Sequence, residues 1–528
     1  MKKISSFIII MLCLFGLTFT LHAQQASYSV VDTGQEICYD SSDEITAPDP
    51  GEPYYGQDAQ FEGNQPDYTD NGDGTITDNV TSLMWTKTCD TDGDGDIDYD
   101  DKMSYDEAIA SASSVNVGGY SDWRLPSIKE QYSLILFSGI DPSGYEGPTS
   151  GLVPFIDTDY FDFAYGDVNA GERIIDAQMA TTNIYVGTTM GGDETMFGVN
   201  FADGRIKGYG TGPMPGQTED KKFYVYYVRG NTDYGINDLE DNADGTISDN
   251  ATDLMWTQDD SGEGLNWEET LAWVQQKNTE NYLGYSDWRL PNVKELQSIV
   301  DYTRAPSTTN SASVDPLFNC TQIIDEGGND NYPFYWSGTT HANWTEDTGY
   351  FGAYVAFGEA LGWMEEPPMS GNFTLMDVHG AGAQRSDPKS GDPANWPHGN
   401  GPQGDVIRIY NYVRLVRDIT TVSINPQQES SSRIEIHKNY PNPAIATTKI
   451  SFSSKQQVSQ PEVTIYNIIG QKLATLSCEQ ETKEDGYEYY TRWDCKDEAG
   501  SSVPNGVYFY HVITDGSILR ADKMVISR

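Results

Sequence analysis

Two long stretches of this chain occur twice, in the same order. "DNGDGTITDNVTSLMWTK" begins at Asp70 and returns as "DNADGTISDNATDLMWTQ" from Asp241. "GGYSDWRLPSIKEQYSLI" from Gly118 returns as "LGYSDWRLPNVKELQSIV" from Leu283. "YVGTT" at Tyr185 parallels "YWSGTT" at Tyr335, and a β-like run follows each. Each copy closes on a tyrosine-rich strand, "FYVYYVRG" or "IYNYVRLVRD". A period this long means two tandem domains, over residues 60–232 and 233–420, and not a solenoid of short units.

Local signals give each copy a mixed α+β character. The Asp-Gly pair in "DGTITD" is a turn feeding a short strand. Ser104 with Glu107 and Ser127 with Glu130 have capping-box spacing, and Asn266 with Glu269 and Asn292 with Glu295 repeat it. Two capped helices per copy are therefore predicted. Beyond residue 420 a polar linker, 421–432, leads to short alternating strands between turn signals. These predict a small Ig-like β-sandwich over 433–528. Residues 24–59 read as a lightly ordered leader. Lys2, Lys3 and the apolar run "FIIIMLCLFGLTF" read as a secretory signal peptide, residues 1–23. No other apolar run is long enough for a transmembrane helix.

The net charge of −48, with no cluster of Lys and Arg, argues against nucleic acid as a partner. The mature chain keeps five cysteines spread too thinly for a disulfide framework. Cys478 and Cys495, close together in one domain, are the candidate disulfide, with Cys38 and Cys89 a second candidate.

"DTDGDGDIDYDD" has the spacing of an EF-hand calcium loop. With Asp90 at position 1, Asp92, Asp94, Asp96, Asp98 and Asp101 fall at positions 3, 5, 7, 9 and 12. Gly95 takes the sixth place and Ile97 the apolar eighth. The departure is Asp101, where a longer bidentate Glu is usual. A solvated acidic loop is the other reading, but agreement at every ligand position favours calcium as cofactor. Between Trp85 and Trp123 the spacing is 38 residues, against 32 between Trp256 and Trp288. The loop is thus an insertion in copy one. The spaced oxygens of "DNGDGTITD" and "DNADGTISD" read better as hairpin turns than as metal ligands.

On "LMW…GYSDWRLP.IKE…YW.GTT…NYVR.VR" both copies resemble the Lcl C-terminal domain family. The "WRLP" helix start is also similar to a segment of formylglycine-generating-type domains. The resemblance implies a C-type-lectin-like fold, two helices against twisted antiparallel sheets, and by analogy with the family's founding member a sulfated glycan as ligand. The tail resembles a type A C-terminal sorting domain of the type IX secretion system, on "NYPNP" (residues 439–443), "VTIYNIIGQKLATL", "NGVYFYHV" and the final "KMVISR". That implies contact with the type IX machinery and a place outside the cell, attached or released.

Trp123 and Trp288 could stack on a sugar, but a core position is the better reading, with the adjacent arginine paired to an acid such as Asp122 or Asp287. Residues 364–405 of copy two gather His379, Arg385, Asp387, Lys389, Asp392, Trp396 and His398 among glycines and prolines. Long loops with convergent polar groups are candidate binding sites. Arg385 could grip a sulfate or carboxylate and Trp396 could stack on a ring; a self-packed loop is the alternative. No nucleophile elbow, HExxH or P-loop is present. The sequence thus points to a secreted or surface protein with two lectin-like domains, binding a glycan or other extracellular polymer. The alternatives are a hydrolase using acids of copy two and a structural surface protein.

Overall fold

The computed structural model describes residues 27–419, except 214–216, 366 and 368, and residues 434–527, except 455–460, 468–471, 484–485, 497–499 and 515–516. The expected signal peptide (1–23) and linker (421–432) lie outside the described residues. The chain divides into two compact units, residues 1–419 and 420–528. The architecture is β-rich α+β.

In each copy the LMW tryptophan is anchored in a four-stranded antiparallel sheet. In copy one the order is Val228–Gly230, Leu83–Thr86, Thr75–Asp78, Tyr68–Asp70; in copy two Val416–Asp418, Leu254–Thr257, Thr246–Asp249, Leu239–Asp241. Trp85 and Trp256 are fully buried there. All four expected capping boxes form, at the starts of α1 (Tyr105–Ser111), α2 (Ile128–Ser133), α3 (Trp267–Thr279) and α4 (Val293–Ser298). The caps satisfy backbone N–H groups that the first turn leaves without partners. For six-residue helices such as α2 and α4 that is needed, because so short a helix is not stable alone.

The copies are joined through one sheet. Its six strands run Phe334–Thr340, Phe351–Ala356, Gln384–Pro388, Arg205–Gly210, Thr195–Asn200, Gln178–Met179, three from each copy, and the central pair meets antiparallel at Gln384 and Ile206. The helices behind it repeat the same symmetry. Lys129 of α2 donates to the Ser298 carbonyl (2.6 Å), and Lys294 of α4, the matching residue, donates to the Ser133 carbonyl (2.9 Å), the matching acceptor. Each copy thus offers the other the same contact, the pattern of a two-fold, isologous interface within one chain. Burial pushes Lys129 down to about 8 and Lys294 to about 7. A single apolar core, with Trp85, Ile128 and Phe197 from copy one and Trp256, Val293 and Val355 from copy two, runs across the join.

The leader corrects the sequence expectation: residues 28–42 and 54–59 are largely packed, while 43–53 are mostly exposed. Composition misled because these residues are polar, yet their polar groups are paired. Gln35 donates to the carbonyls of Phe137 (3.3 Å) in copy one and Thr340 (2.7 Å) in copy two, and accepts from Thr340 N–H (2.8 Å). Asp58 accepts from Thr33 (2.7 Å) and Thr339 (2.6 Å), and Lys294 also donates to the Asp32 carbonyl (2.9 Å).

The tail is a sandwich of two four-stranded antiparallel sheets around one apolar core. The expected disulfide is absent, since no bond links Cys478 to Cys495. Register explains it. Glu479 pairs with Tyr490, so the register sets Cys478 beside Thr491, while Cys495 lies beyond the end of that strand at Trp493. Cys38 and Cys89 are both buried and not joined.

Gln35→Ala strips partners from three buried backbone groups shared by both copies. Urea unfolding is expected to show a loss of about 3 kcal/mol, against less than about 0.5 kcal/mol for the exposed neighbour Glu36→Ala.

Candidate functional site

In both copies the "DWRLP" motif is a folding device. Trp123 and Trp288 are buried. Arg124 pairs bidentately with Glu130 (2.7 and 2.5 Å), and Arg289 with Glu295 (2.5 and 2.6 Å). The capping glutamate therefore serves both the helix start and the arginine. Asp122 and Asp287, expected as the arginines' partners, are instead held by Arg229 and Arg417 of the closing strands.

The acidic insertion of copy one forms a tight loop. Asp90 accepts from the N–H groups of Gly93 (2.6 Å) and Gly95 (3.1 Å), and both glycines have positive φ. Carboxylate oxygens of Asp90, Asp92 and Asp94 lie within 4.8 Å of one another. The N–H of Asp94 pulls the Asp92 carboxyl down, but desolvation and the charges of Asp94, Asp101 and Asp90 leave it above its usual range. Asp101 is buried and closes the loop, accepting from Thr91 (2.6 Å) and Asp98 (2.9 Å). Asp98 stands outside the three-carboxylate group, and Asp96, at position 7, is expected to offer its backbone carbonyl. Three of the five expected carboxylate ligands are thus brought together. Their hard oxygens and crowded negative charge fit a calcium ion.

Copy two carries the larger insertion. A hairpin, Leu361–Glu365 with Phe373–Asp377, precedes the central strand Gln384–Pro388. Three of the expected ligand residues hold this insertion together. Asp405 accepts from His379 (2.9 Å) and is paired with Arg385. Burial, with Arg385 nearby, pushes the His379 imidazole well below its usual range. Asp387 is fully buried and accepts from the N–H groups of Arg408 (3.1 Å) and Ile409 (3.0 Å) and the Asn411 amide (3.1 Å). These bonds fix Ile409 at φ 65°, a strained conformation for a β-branched residue. The turn throws Arg408 and Tyr410 into one cleft.

That cleft, about 660 Å³, is lined by Trp363, Trp396, Tyr410, Tyr412, Arg408 and Glu326, with prolines at its edges. Trp396 follows a short 3-10 turn that Asp392 caps through Ala394 N–H (2.9 Å). Trp363 is set by its N–H bond to Gly404 O (2.8 Å). Gly404 has φ 58°, and a Cβ there would lie 2.3 Å from the Trp363 carbonyl, so only glycine fits. His398 stacks on Phe373 (3.8 Å, 8°) at the hairpin. Lys389 is buried away from the cleft, donating to the Asp40 carbonyl (2.9 Å) and Thr340 (2.8 Å). Of the expected residues, then, Trp396 lines the cleft, while His379, Arg385 and Asp387 build its frame. Trp363, Tyr410, Tyr412, Glu326 and Arg408 were not picked out from sequence. The alternating tyrosines of "IYNYVR" were the available signal.

Residues 74–229 and 245–372, more than half of the chain, match the Lcl C-terminal domain. The chain belongs to the Lcl C-terminal domain family. Both Lcl domains hold the paired "DWRLP" arginine described above, and residues 438–527 match the secretion system C-terminal sorting domain, of type IX. A protein with this tail is secreted or held at the cell surface. Among the described residues no helix is long and apolar enough to cross a membrane. No curated protein matches this Lcl chain. Similar solved structures include alkylpurine DNA glycosylase AlkC of Pseudomonas fluorescens bound to DNA (15% identity, 19% of this chain and 32% of that one, TM-score 0.14). Dimeric latent PorU of Porphyromonas gingivalis is another (12%, 39% and 20%, 0.16). A third is PorZ, a surface component of the type IX secretion system of the same organism (10%, 68% and 45%, 0.12). The chain spans less than half of each of these proteins, and at such TM-scores the likenesses carry no argument.

Burial raises the Asp387 carboxyl from 3.8 to about 6. The stability tied to its protonated form is present in full below about pH 4 and is lost as pH rises through 6. Asp387→Asn cannot titrate. Between pH 4 and 7 the wild type is expected to lose about 2 kcal/mol relative to the variant, measured by denaturant unfolding at each pH; a constant difference would place the ionised carboxylate at no disadvantage.

Proposed function

We propose that the mature chain is a binding protein of the outer cell surface or the surrounding medium, and that the copy-two cleft takes a glycan or other extracellular polymer. One observation carries this reading. An insertion that copy one lacks is framed by the Arg385–Asp405 ion pair, the His379–Asp405 hydrogen bond and a strained turn, and the product is a cluster of four partly exposed aromatic rings around one charged pair. Concave sites lined by aromatic residues with few polar groups are the usual form of ligand pockets, and strain held by its surroundings clusters at such sites. The volume lies within the range of about 300–1,000 Å³ common for them. Two capped helices against antiparallel sheets in each copy are in keeping with a lectin-like fold. A hydrolase built on Asp387 and Asp392 is less favoured, because Asp387 is sealed from solvent and Asp392 serves as a cap.

Calcium is proposed as a structural ion at Asp90, Asp92 and Asp94. The loop leads through Asp101 and Lys102, which is paired with Glu172 (2.5 Å), to the start of α1. A bound ion would stiffen that start and take no part in the cleft.

The test of binding is a glycan array probed with the mature chain and with Trp396→Ala. Binding reduced at least about tenfold by the substitution, a loss of some 1.4 kcal/mol, is the expected result, and no binding to any glycan defeats the reading. For the loop, calcium at about a hundred times its Kd should add about 2.7 kcal/mol of stability, seen as a higher Tm. Asp92→Ala and Asp94→Ala should abolish the rise; an unchanged rise places the ion elsewhere.

A further inference from the structure

Resting on the cleft reading above, we infer that the ligand is an uncharged pyranose chain, not a sulfated or uronic one. Arg408 is the one cation among the described residues that line the cleft, and the edge of its guanidinium that could grip an anion bidentately is taken by a carboxylate. Nε and Nη2 donate to the two carboxylate oxygens of Glu326 (2.9 and 3.1 Å), and Nη1 to the Tyr332 carbonyl (3.4 Å). Its flat face lies 4.0 Å from the Phe334 ring centroid. A sulfate entering the cleft would meet a fork already filled by a carboxylate. It would also lose water without gaining a free cation, and that is costly. Arg385, the nearest alternative on the insertion, is only 12% exposed and is paired with Asp405. The field of a chain with net charge −48 further slows the approach of a polyanion. A polycation fares no better at close range, because Glu326 is equally spent on Arg408.

What the cleft offers freely is ring faces and a few polar edges. Trp363 and Trp396 present apolar faces of the kind that pack on the C–H face of a pyranose. The hydroxyls of Tyr410 and Tyr412 and the remaining lone pairs of Glu326 suit sugar hydroxyls. Stacking and neutral hydrogen bonds do not depend on ionic strength, whereas contacts between exposed charges do.

The experiment compares cellohexaose and chitohexaose with heparin and dextran sulfate by calorimetry, using the mature chain, Trp396→Ala and Glu326→Gln, at about 50 and 500 mM NaCl. Expected is binding of an uncharged oligosaccharide whose Kd changes less than about twofold with salt and rises at least about tenfold in Trp396→Ala. Glu326→Gln, which frees Arg408, is expected to gain salt-sensitive heparin binding that the wild type lacks. Salt-sensitive heparin binding by the wild type that Trp396→Ala abolishes would overturn the inference and leave the cleft reading in place. If neither kind of glycan binds the wild type, both fall.

Discussion

Two lysines at matching positions decide how the larger unit is built. Lys129 and Lys294 each reach across to a backbone carbonyl of the other copy, and both are buried. A buried amine without acceptors is costly, so each must be met by several. Lys129 finds Ser298, Gly235 and Asn237; Lys294 finds Ser133 and Asp32. Gly235 and Asn237 lie between the two stretches that match the Lcl domain, 74–229 and 245–372, and Asp32 lies in the leader. The connecting segments are thus drawn into the join by the same two side chains. The shared sheet and the shared core hold the copies at the closeness this requires.

The helices were legible because their signals are local. A Ser or Asn three residues before a Glu states both partners of a capping box, and all four formed. The Asp-Gly hairpins were legible for the same reason. The leader was not. Its order rests on Gln35 meeting carbonyls 102 and 305 residues away, and nothing in a polar stretch announces such partners. The tail's cysteines show the opposite error. Closeness in sequence suggested a bond, while strand register sets the two apart.

The site was legible in part, for the same physical reason. Trp396 stood out as an aromatic in a long glycine-rich loop. The charged residues around it stood out too, but sequence cannot say whether Arg385 faces a ligand or Asp405. Burial decides that: His379 and Asp387 are buried, and Arg385, partly buried, is turned to Asp405. Arg408 and Tyr410 reach the cleft only because Asp387, about twenty residues earlier, holds the turn at Ile409. In copy one the acidic loop shows both outcomes at once: spacing brought three carboxylates together, while Asp101 went to close the backbone.

The reciprocal lysine contact also bears on how such a chain can change over time. When two identical chains pair through an isologous face, every substitution in that face is made twice, and both effects must be tolerated together. Once the two halves are one chain, each lysine can be altered alone. Lys129 and Lys294 have already diverged in their surroundings, one leaning on the connecting segment and the other on the leader. The outward loops are freer still, since neither half needs the other's copy of them. One half could keep an acidic loop and the other an aromatic cleft, with the common face between them left intact.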